Sequence, residues 1–210
     1  MDEVYRSVVS ATSAQIKVEG SRFIADVMPA ETEEEARNGL EGIRKRYFDA
    51  THHCFAYVIG ADRKTVRYSD DGEPNGTAGV KIHSAIHAQG LSDTLVVVTR
   101  YFGGTKLGVG GLGRAYFESA EHALAQASSI PKALIQELRV TFPFPETNPV
   151  MNLITSHKLK IAATEYTQDN TIITLHLLPS VVGSIEAQIV NATRGTAGIE
   201  RGGTRTVVWK

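Results

Sequence analysis

Apolar positions in the first half of the chain alternate with period two, then recur every three to four residues, then alternate again. Ser21 to Met28 sets Phe23, Ala25 and Val27 against Arg22, Ile24 and Asp26, the period of a strand. Thr32-Glu33-Glu34-Glu35 follows as a capping box, in which the hydroxyl and the third carboxylate bond back to free backbone N–H groups, and Ala36, Leu40, Ile43 and Tyr47 continue at helical spacing. The acids there suit the positive end of a helix and need no other role. Cys54 to Ile59 and Thr65 to Ser69 are predicted strands joined by Gly60-Ala61-Asp62-Arg63, and Thr77 to Ala88 is a predicted helix. Thr94 to Thr99 (TLVVVT) has the continuous apolar character of a buried strand, and Leu112, Ala115, Tyr116, Ala123 and Ala127 fall on one face of a further helix. The predicted order is strand, helix, two strands, helix, strand, glycine-rich segment, helix.

This pattern breaks at Ala127 to Ala133 (ASSIPKA), where small residues and Pro131 end a helix, so the expected domains are residues 1–130 and 134–210. Beyond the break, Leu134, Gln136, Leu138, Val140 and Phe142 form one face of a strand stopped by Pro143 and Pro145. Thr147-Asn148-Pro149 opens a helix carrying Val150, Met151, Ile154 and His157. Leu159 to Tyr166 and Thr171 to Leu178 are predicted strands around a Gln168-Asp169-Asn170 turn, Ser180 starts a helix with Val182, Ile185 and Ile189, and Ile199 to Trp209 closes as a strand. The order β-α-β-β-α-β is that of the split βαβ, ferredoxin-like fold, so the chain is expected to be α+β.

The 210 residues are 42% hydrophobic, enough for two ordinary cores. No apolar segment approaches eighteen residues, and MDEVYRSVVS has acids where a secretory signal would be basic, so a cytoplasmic protein with no membrane partner is expected. Cys54 is the single cysteine, which excludes an intrachain disulfide and a four-cysteine metal site. A net charge of −1 argues against a wholesale nucleic-acid coat but leaves room for local patches. Arg100, Lys106 and Arg114 stand without a nearby acid, and Arg194, Arg201, Arg205 and Lys210 surround only Glu200, while acids gather at Glu31 to Glu35 and Asp70 to Glu73. A monomer is the favoured oligomeric state.

The richest segment is Arg100 to Tyr116, RYFGGTKLGVGGLGRAY, which places six glycines and three cations between a strand and a helix. A helix N-terminus offers unpaired N–H groups and a positive dipole end, so a phosphate, on a small molecule or an RNA backbone, is the first ligand to consider. Gly108, Gly110 and Gly113 meet the GxGxxG spacing, yet eight residues separate Thr99 from Gly108 and no acid-ending strand follows, so the dinucleotide fingerprint is not met. Lys106 follows Thr105 and precedes Leu107, which excludes a P-loop. The competing explanation is a glycine turn that packs a helix closely on a sheet.

Three further groups carry chemistry. In His52-His53-Cys54, alternation puts His52 and Cys54 on one face of a strand, where a thiolate nucleophile or a zinc ligand pair competes with a buried hydrophobe, the commoner fate of a lone cysteine. Asp70, Asp71 and Glu73 lie in a turn-rich segment, SDDGEPNGTAG, whose carboxylates suit Mg²⁺ with a substrate phosphate, although Asp71-Gly72 and Asn75-Gly76 are also good turn formers. Arg100-Tyr101-Phe102 joins a cation to two rings, suited to base stacking, with at least one ring expected in the core.

Taken together, Gly20-Ser21-Arg22-Phe23, Asp49-Ala50-Thr51-His52-His53-Cys54, the Ser69 to Gly79 segment and Arg100 to Tyr116 resemble the YigZ/IMPACT family in content and order. The resemblance is strong over residues 15–128 and extends through the β-α-β-β-α-β pattern. It implies a first domain of the ribosomal protein S5 domain 2-like fold, a sheet with helices on one side, and a ferredoxin-like second domain, a pairing similar to two domains of the translocase elongation factor. It implies a regulatory role in translation and supplies no settled catalytic residues. Its shared positions are Arg22, His52, His53, Asp70, Asp71, Glu73, Arg100, Gly103, Gly104, Gly110, Gly111 and Arg114.

The leading expectation is therefore a non-enzymatic, translation-associated protein. It would bind RNA, a ribosomal site or a translation protein, with phosphate held by Arg100, Gly103, Gly104, Lys106, Gly110, Gly111 and Arg114. The alternative is an Mg²⁺-dependent enzyme acting on a phosphorylated small molecule or nucleotide through the Asp70 to Glu73 segment; a thiol hydrolase using Cys54 ranks below it.

Overall fold

The computed structural model describes residues 3–209, which form two compact α+β units: residues 3–132 together with Trp209, and Ala133–Val208. The first unit runs β1 (Val4–Val8), β2 (Thr12–Val18), β3 (Ser21–Pro29), α1 (Glu33–Arg46), β4 (His52–Ile59), β5 (Thr65–Ser69), α2 (Gly79–Ala88), β6 (Thr94–Tyr101) and α3 (Gly108–Gln126). Its five-stranded sheet has the order β2-β3-β6-β4-β5, antiparallel at every pairing.

The period-two pattern places Phe23, Ala25, Val27, Cys54, Ala56, Val58, Val96 and Val98 on one face of this sheet. There they pack against Ile82, Ala85 and Ile86 of α2 and Leu112, Ala115, Tyr116 and Ala120 of α3. The intervening residues Phe55, Tyr57, Ile59, Leu95 and Val97 are apolar as well and are covered by Ala36, Leu40 and Ile43 of α1. Helices thus lie on both faces, which corrects the one-sided arrangement implied by the family resemblance. The cause is compositional, because central strands apolar on both faces need two covers. Thr32 caps α1 as its spacing predicts, with Oγ1 accepting from Glu35 N–H at 3.1 Å while Glu35 Oε2 accepts from Glu31 N–H at 2.7 Å.

Strands β1 and β2 are absent from the sequence reading. Beside the end of β1, Val9 N–H donates to the Ser128 carbonyl at 3.0 Å, and Trp209 N–H donates to the Pro131 carbonyl at 2.9 Å. Residues 129–132 begin strand β7 (Ser129–Pro143), so Pro131 lies inside a strand instead of ending a segment.

The second unit continues with α4 (Thr147–Ser156), β8 (Lys160–Tyr166), β9 (Asn170–Leu177), α5 (Pro179–Ala192) and β10 (Gly198–Val208), in a sheet of order β10-β7-β9-β8. Leu138, Val140, Phe142, Ile173, Leu175 and Leu177 meet Val150, Ile154, Val182, Ile185 and Ile189 in its core. The buried face of β7 changes along its length: Ala133 and Ile135 are buried first, then Leu138, Val140 and Phe142. Among the described residues no helix is long and apolar enough to cross a membrane.

Candidate functional site

The antiparallel register brings the separated motifs together. Arg100 sits at the end of β6 directly across from Phe23 of β3 and His52 of β4, on the face covered by α2 and α3. A buried cation requires a partner. Glu73, from the loop before α2, supplies it: Arg100 Nη1 donates to Glu73 Oε1 at 2.7 Å, and both side chains are about nineteen-twentieths buried (7% and 5% exposed). Arg100 Nη2 donates to Ser21 Oγ at 3.3 Å, and its guanidinium lies 5.4 Å from the Phe23 ring centroid and 5.5 Å from that of Phe102. Among the described residues its Nε has no hydrogen-bond partner, and the two rings add to the compensation that Glu73 gives the guanidinium.

The network continues inward. Tyr116 OH donates to Glu73 Oε1 at 2.8 Å, and Cys54 Sγ donates to the Tyr116 hydroxyl at 3.3 Å and lies 3.0 Å from the Asp70 carbonyl oxygen. Burial, aided by the Glu73, Asp71 and Asp70 carboxylates, pushes the Cys54 thiol far up against the opposing Tyr116 hydrogen bond. Cys54 is therefore a neutral buried thiol, and the thiol hydrolase reading loses its nucleophile. Burial also pushes the Tyr116 hydroxyl up, so it serves as a donor.

The three carboxylates predicted as one group divide their work. Asp70 accepts from Gly76 N–H at 2.9 Å and from Ala78 and Gly79 N–H at 2.9 and 2.8 Å, satisfying the start of α2. Burial would raise its pKa, but these three donors outweigh it and hold the carboxyl below its ordinary value. Asp71, at φ +43°, accepts from His53 N–H at 2.7 Å and from Arg44 at 3.3 Å. Only Glu73 turns into the Arg100 cluster. Among the described residues no three His, Cys, Asp or Glu side chains are grouped to hold a metal ion. Asp70 is taken up by backbone N–H groups and Asp71 by a backbone N–H and Arg44, so the predicted Mg²⁺ set is not grouped in this segment.

His52 Nδ1 lies 2.7 Å from the Asp71 carbonyl oxygen, which can only accept, so the bond assigns the proton to Nδ1. Its Nε2 lies 3.9 Å from Glu73 Oε2. His53 points away, with Nε2 at 3.0 Å from the Tyr47 carbonyl. Arg22 stacks over Tyr101 at 4.2 Å, and Tyr101 OH donates to Asp49 Oδ1 at 2.8 Å. Neither ring of the Tyr101-Phe102 pair is buried, contrary to expectation: Tyr101 is half-buried and Phe102 is 49% exposed. Tyr101 is the last residue of β6 and Phe102 follows it.

The glycine segment is not one loop. Arg100 and Tyr101 end β6, and α3 already begins at Gly108, so Gly110, Gly111 and Arg114 are helical. Gly103 is glycine for packing reasons, since a Cβ there would collide with the Gly20 carbonyl group and Ser21 N, and Ser21 Oγ receives its N–H at 3.2 Å. Gly104 and Gly108 need positive φ, at +90° and +68°. A Cβ at Gly110 would meet nothing within 4 Å, and at Gly111 only Leu107 Cβ at 3.5 Å. No side chain caps the N-terminus of α3, and Lys106 and Arg114 are exposed.

Two depressions flank this first turn of α3. One, of about 360 Å³, is lined by Glu73, Arg100, Phe102, Lys106, Val109 and Leu112, among others. The other, of about 510 Å³, has Lys81, Val109, Gly110, Gly113, Arg114 and Phe117 on its walls. Val109, 69% exposed, stands between them. Sequence reasoning missed the apolar wall of Leu107, Val109 and Leu112 and the role of Tyr116, whose helical spacing gave only a core assignment.

These motifs carry a family signature. Residues 19–124 match the Impact N-terminal domain. A Thermus thermophilus protein described as "IMPACT family member in pol 5'region" is 39% identical over 185 residues, 87% of this chain and 99% of that one. "IMPACT family member YvyE" of Bacillus subtilis is 36% identical over 165 residues, covering 79% and 76%. "IMPACT family member YigZ" of Escherichia coli is 31% identical over 182 residues, covering 86% and 89%. A solved structure titled as a crystal structure of an hypothetical protein superposes with a TM-score of 0.65 at 28% identity, covering 95% of this chain and 97% of its own. The chain, through the segment that carries Glu73, Arg100 and α3, belongs to the IMPACT family.

Proposed function

We propose that the protein is a translation-associated RNA-binding module of the cytoplasm, which holds the phosphate backbone of single-stranded RNA, on the ribosome or elsewhere, at the start of α3. The observation that carries this reading is the uncapped N-terminus of α3, which sits between two depressions bordered by Lys106 on one side and Arg114 and Lys81 on the other. Unpaired N–H groups with nearby cations favour an anion. Phe102 and Val109, exposed beside those cations, suit unstacked bases better than a smooth protein surface. Arg100 contributes by shaping the floor, because Glu73 already neutralises it. The first unit fits the S5 domain 2-like fold with α1 added on the reverse face, and the second fits the ferredoxin-like fold through its sheet order β10-β7-β9-β8.

Titration of the intact protein with a fluorescent single-stranded RNA at increasing salt tests the reading. Each phosphate contact contributes a slope of about −0.7 in log K against log salt. Lys106→Ala and Arg114→Ala should each weaken binding and flatten the slope by about that amount. Binding that ignores salt, or variants with the wild-type slope, would contradict it.

A further inference from the structure

We propose that the 360 Å³ cleft between the Glu73–Arg100 pair and the start of α3 is a pocket for a single nucleotide whose base carries an exocyclic amino group. This deepens the RNA-binding reading and rests on it.

The carboxylate of Glu73 has one oxygen in use and one free. Oε1 accepts from Arg100 and from Tyr116. Among the described residues Oε2 accepts no hydrogen bond, and His52 Nε2 lies 3.9 Å from it, beyond hydrogen-bond reach. Glu73 lines the cleft, so its unused Oε2 is an acceptor available to a donor that enters there. The network fixes its position, since Arg100 and Tyr116 lock the carboxylate from behind.

The rest of the cleft fits the remainder of a nucleotide. Phe102 offers a half-exposed ring for stacking, and Leu107, Val109 and Leu112 make an apolar wall. Lys106 and the uncapped start of α3 at Gly108 stand at the same cleft and suit a phosphate. The volume lies within the range of small-molecule sites. An amino group on the base, donating to Glu73 Oε2, uses that open acceptor, and the net charge balances because Arg100 neutralises Glu73 while Lys106 and the helix meet the phosphate.

Calorimetric titration of the full chain with three ligands separates the contributions. Adenosine 5′-monophosphate carries base, amino group and phosphate; purine riboside 5′-monophosphate lacks the amino group; ribose 5-phosphate lacks the base. The expected order is adenosine monophosphate tightest by about tenfold over each of the others, from stacking and from a hydrogen bond to a charged group. Phe102→Ala, at an exposed position, should erase the advantage over ribose 5-phosphate, and Lys106→Ala should weaken all three. Equal affinities for the three ligands, or a preference untouched by Phe102→Ala, overturn the pocket. If RNA still binds with salt sensitivity in that case, only the pocket falls; if neither RNA nor adenosine monophosphate binds, the RNA-binding reading falls with it.

Discussion

Asp70, Asp71 and Glu73 show how neighbouring residues of one type take different roles. Asp70 is a structural acceptor: its carboxylate receives three backbone N–H groups around the start of α2. Loss of these bonds in Asp70→Ala should cost about 2 kcal/mol in chemical denaturation. The pH dependence has a definite sign. The folded-state pKa of Asp70 lies below its ordinary 3.8, so its contribution is present above that value and is lost as pH falls through the folded value. Asp70→Asn should therefore be less stable than wild type at neutral pH, and the two stability curves should converge in acid; parallel curves down to acid unfolding would contradict this assignment. Glu73 differs because its partner comes from a distant strand, Arg100, which no local pattern reveals.

At the scale of elements, α3 separates packing from function along one glycine-rich segment. Gly103 approaches the backbone of Gly20 and Ser21 too closely for any side chain, whereas Gly110 faces open space. Gly103→Ala should destabilise the protein by about 1–3 kcal/mol through overpacking. Gly110→Ala should instead stabilise it by about 0.5–1 kcal/mol through helix propensity, while weakening RNA binding if the backbone there meets the ligand. Thermal denaturation of both variants checks the pair, and a stabilising Gly103→Ala would refute the packing account. Much of this was legible beforehand. A period-two run located β3, apolar runs located β4 and β6, and Thr32 with Glu35 marked the start of α1. The strand Thr12–Val18 escapes the sequence reading although it alternates, with Ala14, Ile16 and Val18 packed against the core and Ser13, Gln15 and Lys17 exposed; its inward face is only half-buried, and it is an edge strand paired with β3 alone in its sheet. Helix α3 begins four residues before Leu112, the first position of its predicted apolar face, because Gly108, Gly110 and Gly111 have low helix propensity and the helix is carried by packing of Leu112, Ala115 and Tyr116.

In the whole molecule, the polar motifs of the IMPACT signature converge on one end of the first unit's sheet, where β3 and β4 begin and β6 ends. The second unit has its own core, and every residue named in the Glu73–Arg100 network belongs to the first. Four sequence segments separated by tens of residues meet because the antiparallel register sets Phe23, Arg100 and His52 side by side. That convergence explains why segments so far apart in the chain form one recognisable set, and it puts an uncapped helix start beside a buried ion pair. The central claim is that this end of the first unit binds RNA phosphate at the start of α3. Amide chemical-shift mapping of the intact protein during titration with a short single-stranded RNA tests it most directly. The expected result is that the largest shifts fall on the amides of Gly104 to Gly110 and diminish in Lys106→Ala; shifts confined to the second unit, or none at saturating RNA, would contradict it.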